Sequence, residues 1–280
     1  MSELFELRSA GQYNHAISAR TPRIMFIRNN DAQLYTVEFG RGPRTILAHG
    51  GWTGNWELWA EPFTHLSKSW RTVAYDHRGT GATICPPETI SLDNMVADLF
   101  AVMDFMQIET CVLAAESAGG MVAVNAALQR PERFEGLVLV DCLLHNEDDG
   151  SDMDFIQGLR NYYEDTIGGF VDACVPESEP NSTAIRSWGR KILNRATSES
   201  AIRLLQCTYG TDLRPRLHEL DLPTLIVHGT EDAIVSISES EYAASQIPNS
   251  QFHVFKGTGH VPTMTRPQEI ATLINQFFTQ

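Results

Sequence analysis

Basic residues, paired cysteines and long apolar runs are all scarce in this sequence of 280 residues. It contains 21 lysines and arginines against 35 acidic residues, a formal net charge of −14, and the basic residues form no cluster. Binding to nucleic acid requires clustered lysine and arginine, so we expect no nucleic-acid partner. The contribution of net charge to solubility is sufficient to explain the excess of acidic residues.

Five cysteines are scattered along the chain and form no CxxC pair, which argues against a disulfide framework and against a zinc site. We therefore expect a reducing compartment and no metal. No run of about 18 apolar residues occurs, and Glu3, Glu6 and Arg8 interrupt the N-terminus. These absences predict a cytoplasmic protein without a membrane partner.

Short apolar segments alternate with helical patterns along most of the chain. Such near-continuous apolar strands indicate a mostly parallel sheet covered by helices on both faces, which is an α/β fold. A hairpin precedes them, because Ile24–Ile27 and Leu34–Phe39 flank a turn. The predicted buried strands are Thr45–Ala48, Thr72–Tyr75, Cys111–Ala115, Leu137–Val140, Thr224–Val227 and Phe252–Phe255.

The alternation breaks between Val140 and Thr224, where polar, helical patterns replace strands. Long insertions of this kind are usually functional, and we expect this one to fold over the sheet as a helical lid. The predicted division is an N-terminal extension at 1–22, a core at 23–141 and 216–280, and a lid at 142–215.

Ser117 lies between a predicted strand and a predicted helix, in the segment Ala115-Glu116-Ser117-Ala118-Gly119. This context is that of a nucleophile elbow, in which a sharp turn lifts a serine out of the sheet. The small residues that flank Ser117 let the predicted strand and the predicted helix approach each other closely. The usual pattern begins with glycine, so Ala115 is a departure, although alanine is still small.

A serine nucleophile needs a base and an acid that orients the base. His260 follows the last predicted strand in a glycine-rich loop, and Asp232 follows the preceding one. The order serine, acid, histidine fits a hydrolase triad. Asp141, directly after Leu137–Val140, is a rival for the acid. Glu231 points elsewhere if Asp232 points inward.

An oxyanion hole requires two backbone N–H groups. We expect one from Ala118 and the other from Gly51 or Trp52, in the loop after Thr45–Ala48. Trp52 and, in the lid, Trp188 are candidate substrate contacts. The spacing of Trp52, Trp56 and Trp59 favours a packed helix face. The turn at Asp76–Gly81 predicts a buried ion pair near the site.

These motifs together resemble the α/β-hydrolase superfamily over roughly residues 23–280. The resemblance rests on His49-Gly50-Gly51, Asp76–Gly81, Ala115–Gly120, Gly229–Asp232 and Gly257–His260. It implies an eight-stranded sheet, a helical cap inserted after the sixth strand, and no cofactor. Residues before the first strand then either contact the second subunit of a homodimer or are disordered.

The leading hypothesis is hydrolysis of a carboxylic ester or lactone of a small, largely apolar molecule through an acyl-enzyme on Ser117. Hydrolysis of a carbon–carbon bond next to a ketone would use the same residues. A hydrolase-fold receptor and a cofactor-free oxygenase are the alternatives outside hydrolysis. The superfamily's epoxide hydrolases and dehalogenases are excluded, because they use an aspartate where Ser117 stands.

Overall fold

A computed structural model describes residues 22–278 of the chain, so predictions that concern residues 1–21 fall outside it. Within this range eight strands form one sheet, in the order β1-β2-β4-β3-β5-β6-β9-β10. β2 runs antiparallel to both of its neighbours, and the pairs beyond β4 are parallel. The sheet strands are β1 (Arg23–Asn29), β2 (Ala32–Phe39), β3 (Arg44–His49), β4 (Trp70–Tyr75), β5 (Cys111–Glu116), β6 (Phe134–Val140), β9 (Thr224–Gly229) and β10 (Ser250–Phe255).

Helices cover both faces of this sheet, as the sequence predicts. The buried apolar residues form two clusters, one on each side of the strands. Ser91 caps the first long helix, where its side chain accepts a hydrogen bond from the Asn94 N–H. The helices of the core are α1 (Ala60–Leu66), α2 (Leu92–Phe105), α3 (Gly119–Gln129), α8 (Ile237–Gln246), α9 (Pro262–Thr265) and α10 (Pro267–Phe278).

Between β6 and β9 the chain leaves the sheet and forms four helices, all of them within the described range. A two-stranded ribbon, β7 (His145–Asn146) paired with β8 (Thr211–Asp212), joins the two ends of this segment. We call residues 145–212 the cap. Its helices are α4 (Met153–Asn161), α5 (Tyr163–Cys174), α6 (Ser182–Leu193) and α7 (Ser198–Gln206).

The parallel strands bring distant residues to one edge of the sheet. Ser117 directly follows β5, Asp232 follows β9, and His260 follows β10. Strands β3, β5, β6, β9 and β10 are consecutive in the sheet, so their carboxyl ends form a continuous crevice. Ligands of open α/β sheets bind in this position.

Arg78, in the turn after β4, forms the ion pair that the sequence predicts near the site. Its partner is Asp98 on α2, with Nε 2.7 Å from Oδ2, and both side chains are at most 1% exposed. Asp31 also pairs with Arg78, at 2.7 Å. Asp76 is not part of this pair, because its carboxylate accepts the backbone N–H groups of Trp56 and Ala82.

Asp98→Ala is expected to lower the free energy of unfolding by about 3 kcal/mol, because it removes the buried carboxylate and leaves the Arg78 guanidinium with Asp31 and the Thr89 hydroxyl. Glu219→Ala is the control, since its ion pair with Arg216 is solvent-exposed and such pairs contribute about 0–1 kcal/mol. Urea denaturation measures both. Equal, small effects would contradict a stabilising role for the Arg78–Asp98 pair.

Candidate active site

Ser117 occupies a strained turn between β5 and α3. Its φ of +53° lies in the left-handed region, which is rare for a residue with a side chain. Two backbone hydrogen bonds fix the turn, because the Ser117 N–H donates to the Val140 carbonyl and the Leu143 N–H donates to the Ser117 carbonyl, each at 3.0 Å. Strain held in place by surrounding structure is typical of functional positions.

Ser117, His260 and Asp232 form one chain of hydrogen bonds. Ser117 Oγ lies 2.9 Å from His260 Nε2, and His260 Nδ1 lies 2.7 Å from Asp232 Oδ2. A carboxylate only accepts hydrogen bonds, so Nδ1 carries the proton and Nε2 is free to accept the serine hydroxyl hydrogen. This arrangement prepares the imidazole to act as a base toward Ser117.

The environment keeps Asp232 ionised. Burial acts to raise its pKa, but hydrogen bonds from His228 and His260 outweigh this effect and lower the pKa below its ordinary value. Its other oxygen, Oδ1, accepts the N–H groups of Ile234 and Val235 at 2.8 and 3.0 Å. Asp232 is therefore fixed at both oxygens and charged.

Asp141, the rival acid, lies beside this chain but makes no hydrogen bond to His260 among the described residues. Its Oδ1 accepts the Gly229 N–H at 2.9 Å, and its Oδ2 is buried without a partner. Burial and the charge of Asp232 raise the pKa of Asp141 well above its ordinary value. Asp141, Asp232 and His260 also place one ligand atom each within 4.8 Å of one another. Hydrogen bonds already engage these groups, since His260 Nδ1 contacts Asp232 and Asp141 Oδ1 accepts the Gly229 N–H, so we assign no metal to them.

The loop after β3 lies against the serine. A Cβ built on Gly51 would lie 3.0 Å from Ser117 Cβ, so the backbone of Gly51 abuts the nucleophile. No acceptor among residues 22–278 takes the amide hydrogen of Gly51 or of Ala118. Both predicted donors are thus next to Ser117 and available to an oxyanion.

Two neighbouring residues, His77 and Gly119, determine where this loop lies. His77, after β4, has Nε2 3.0 Å from the Gly51 carbonyl oxygen and Nδ1 3.1 Å from the Arg78 carbonyl oxygen, so its ring links this loop to the turn after β4. Gly119, at the start of α3, leaves room for the loop, because a Cβ there would lie 2.4 Å from the Gly50 carbonyl oxygen.

A cavity of about 50 Å³ opens next to Ser117 and His260. Trp52 lines it, packs against Phe155 and Phe170 of the cap, and donates its indole N–H to the Ala201 carbonyl at 2.8 Å. Trp188 is not among the lining residues, and α6 contributes Ile185, Gly189 and Leu193 instead. The remaining lining is mostly apolar, and among the described residues it includes no lysine or arginine.

Glu116 precedes the nucleophile and is 1% exposed. Burial raises its pKa to about 8, although the hydrogen bond from Thr263 acts in the opposite direction. Thr263 Oγ1 lies 2.7 Å from Glu116 Oε2 and belongs to α9, just after His260. The contact therefore joins the segment that carries the nucleophile to the segment that carries the base.

Sequence patterns did not predict a place in the site for His77, Glu116 or His228. His228 has Nε2 3.3 Å from Asp232 Oδ2 and is fully buried at the end of β9. Each of these residues is polar and lies within two residues of the end of a buried strand, at the edge where Ser117 lies. That position is the pattern by which they could have been found.

Fold and geometry together place the Ser117–His260–Asp232 hydrogen-bond chain at the carboxyl edge of a mostly parallel sheet. A family model described as "alpha/beta hydrolase fold" matches residues 44–267, and the chain belongs to this family.

Similar proteins differ in their named roles. The chain is 27% identical to a pimeloyl-[acyl-carrier protein] methyl ester esterase of Nitrosomonas europaea, over 86% of this chain and 98% of the relative. It is 25% identical to a karrikin insensitive 2 receptor of Petunia hybrida, over 84% and 91%. A solved bromoperoxidase from Bacillus anthracis superposes with a TM-score of 0.84 at 22% identity, over 93% of this chain and 100% of that one, which shows the shared fold.

Gly119→Ala is expected to slow phosphonylation of Ser117 by a fluorophosphonate about 10²-fold, because displacing the Gly50–Gly51 loop removes an oxyanion donor. The second-order labelling rate, followed by intact mass, measures this effect. Gly169→Ala on α5 is the control, since a Cβ there meets nothing within 4 Å. Labelling of Gly119→Ala at the wild-type rate would show that the loop does not contribute.

Glu116→Gln is expected to make the unfolding free energy less dependent on pH. The folded-state pKa of about 8 lies above the ordinary glutamate value of 4.5, so the unfolded chain ionises first and wild-type stability falls between these values. The difference between variant and wild type should therefore grow in favour of the variant from about pH 4.5 to about pH 8 and then level off. Denaturation at a series of pH values measures it, and a constant difference would contradict the raised pKa.

Proposed function

We propose that this protein is a serine hydrolase that cleaves a neutral carboxylic ester or lactone through an acyl-enzyme on Ser117. The observation that carries the proposal is the unbroken hydrogen-bond chain from Ser117 Oγ through His260 to Asp232, which opens onto a cavity. Family membership supports hydrolysis, and the named esterase among the relatives supports an ester.

In the proposed reaction Ser117 Oγ attacks the ester carbonyl while His260 Nε2 takes the hydroxyl proton. The oxyanion accepts hydrogen bonds from the N–H groups of Gly51 and Ala118. His260 then gives its proton to the leaving alcohol, and the acyl group remains on Ser117. Water, deprotonated by His260, attacks the acyl-enzyme, and His260 returns this proton to Ser117 Oγ as the acid leaves. Asp232 stabilises the imidazolium at both proton transfers.

The cavity supports a neutral, apolar acyl or alcohol group. Its walls are mostly aliphatic and aromatic, and no described lysine or arginine is available there to pair with a substrate carboxylate. Burying an unpaired charge is costly, and the nearby charge of Asp232 adds repulsion. The formal net charge of −14 would also repel an acidic carrier protein, which disfavours a substrate attached to such a protein.

Ligand perception is a second candidate, because a receptor named for karrikin insensitivity matches the chain at 25% identity. A receptor function predicts that this protein binds a small neutral molecule with negligible turnover. Carbon–carbon bond hydrolysis and cofactor-free oxygenation use the same cavity, and a panel of diketones and a measurement of oxygen consumption separate them from ester hydrolysis.

Ser117→Ala is expected to lower kcat on p-nitrophenyl butyrate by about 10⁶-fold, because it removes the nucleophile on which the other triad members act. Ser245→Ala is the control, since Ser245 lies on the surface of α8 and bonds only within that turn and to Gln246. Retained turnover in Ser117→Ala would contradict an acyl-enzyme on this residue. Tight ligand binding without turnover by the wild type would favour the receptor.

A matched pair of esters tests the preference for neutral substrates. The wild type should hydrolyse the p-nitrophenyl ester of a neutral acid with a kcat/KM at least about 10²-fold above that of an equally long ester ending in a carboxylate, because that carboxylate would be buried unpaired. Equal values would show that the charged end reaches solvent or a cation.

A further inference from the structure

One turn of the cap lies directly on the loop that carries the catalytic base. We call residues Cys174–Glu179 the cap turn. The His260 N–H donates to the Cys174 carbonyl at 2.8 Å, and the Gly259 N–H donates to Glu179 Oε1 at 2.7 Å. We call the loop that carries Gly259 and His260 the histidine loop. Two of its consecutive amides are therefore held by the cap and not by the sheet.

The contact between cap turn and histidine loop is tightly packed. A Cβ built on Gly259 would lie 2.3 Å from Pro176 Cδ and 2.5 Å from the Cys174 carbonyl oxygen. No side chain larger than hydrogen fits at this position, so the close approach depends on a glycine. The same glycine allows the backbone of this loop many conformations. The neighbouring residues therefore determine where the loop lies.

Glu179 is unusual within this contact because it is only 3% exposed, and its second oxygen, Oε2, has no partner among the described residues. Burying a carboxyl group costs free energy unless its oxygens are hydrogen-bonded. A side chain chosen only for packing would be apolar here. The neighbouring Glu177 is fully solvated and reaches only Arg186 at the surface.

The cap turn also forms part of the cavity wall, since Cys174 and Val175 line the cavity beside His260 and Val261. A molecule in the cavity thus contacts the segment that holds the base. Displacement of a catalytic group by about 1 Å can cost about 10² in rate. The cap turn therefore contacts both the cavity and the loop that carries His260.

We propose that Glu179 is a positioning residue, which holds His260 in register with Ser117 through the Gly259 amide and so makes the cap part of the catalytic apparatus. The catalytic consequence rests on the proposed function, whereas the structural contact does not. Glu179 does not touch the reacting atoms. Its effect is on the orientation of the imidazole and not on the binding of substrate.

Glu179→Ala is expected to lower kcat on p-nitrophenyl butyrate about 10- to 100-fold with KM within about threefold, because the base is misplaced while the cavity is kept. Glu179→Gln keeps an acceptor oxygen at the same place and should recover most of the loss. Glu177→Ala removes a carboxylate from the same turn and should match the wild type. Glu179→Asp, too short to reach the amide, should behave like the alanine variant, and it serves as the test if Glu179→Ala does not fold.

Amide hydrogen exchange of residues 256–262, followed by mass spectrometry, tests the contact independently of activity. Exchange should be about tenfold or more faster in Glu179→Ala than in Glu177→Ala, because the amide loses its acceptor. If the wild type proves inactive on esters, the proposed function fails and the exchange data alone decide the contact. Unchanged exchange, or a loss of kcat that Glu179→Gln does not recover, would overturn the proposal.

Discussion

The left-handed turn at Ser117 is the constraint on which the rest of the site depends. A residue with a side chain adopts this conformation only when its surroundings hold it there, and here they do so through very close packing. Gly51, Gly119 and Gly120 each lie where a Cβ would meet a neighbour at 3.0 Å or less. The glycines therefore let the loop after β3, the helix α3 and the segment that follows β6 converge on one serine. The same convergence places the Gly51 and Ala118 amides beside the nucleophile.

Electrostatics at the carboxyl edge follow from burial. Asp232 stays charged because it accepts hydrogen bonds from two histidines and two amides. Asp141 and Glu116 lie nearby, and burial raises the pKa of each. Of these three carboxyl groups, only that of Asp232, which contacts His260, has a lowered pKa. This separation of neighbouring carboxyl groups by environment is the means by which one acid is assigned to the base.

Much of the core could be predicted from sequence because the signals are local. Continuous apolar strands between helical patterns predict a parallel sheet, and a serine between small residues at a strand end predicts the elbow. The order of Ser117, Asp232 and His260 then places three side chains at one edge. The eight-stranded, mostly parallel sheet is confirmed. The long insertion forms helices, although its role as a lid remains a prediction.

Contacts within the cap could not be predicted, because they depend on how its helices pack. Trp188 was expected at the substrate cavity, yet its neighbours on α6 line the wall. Packing direction, rather than residue type, decides which side chain of a helix reaches a cavity. Glu179 was missed for a related reason, since its partner Gly259 is distant in sequence. No periodicity within one segment reports such a contact.

The central claim is that Ser117 is an activated nucleophile in a formed oxyanion hole, and covalent labelling followed by peptide mapping tests it most directly. The wild type, incubated with a fluorophosphonate, should gain one equivalent of adduct, carried by the peptide that contains Ser117. Absence of an adduct, or an adduct on another residue, would show that the hydrogen-bond chain does not activate this serine.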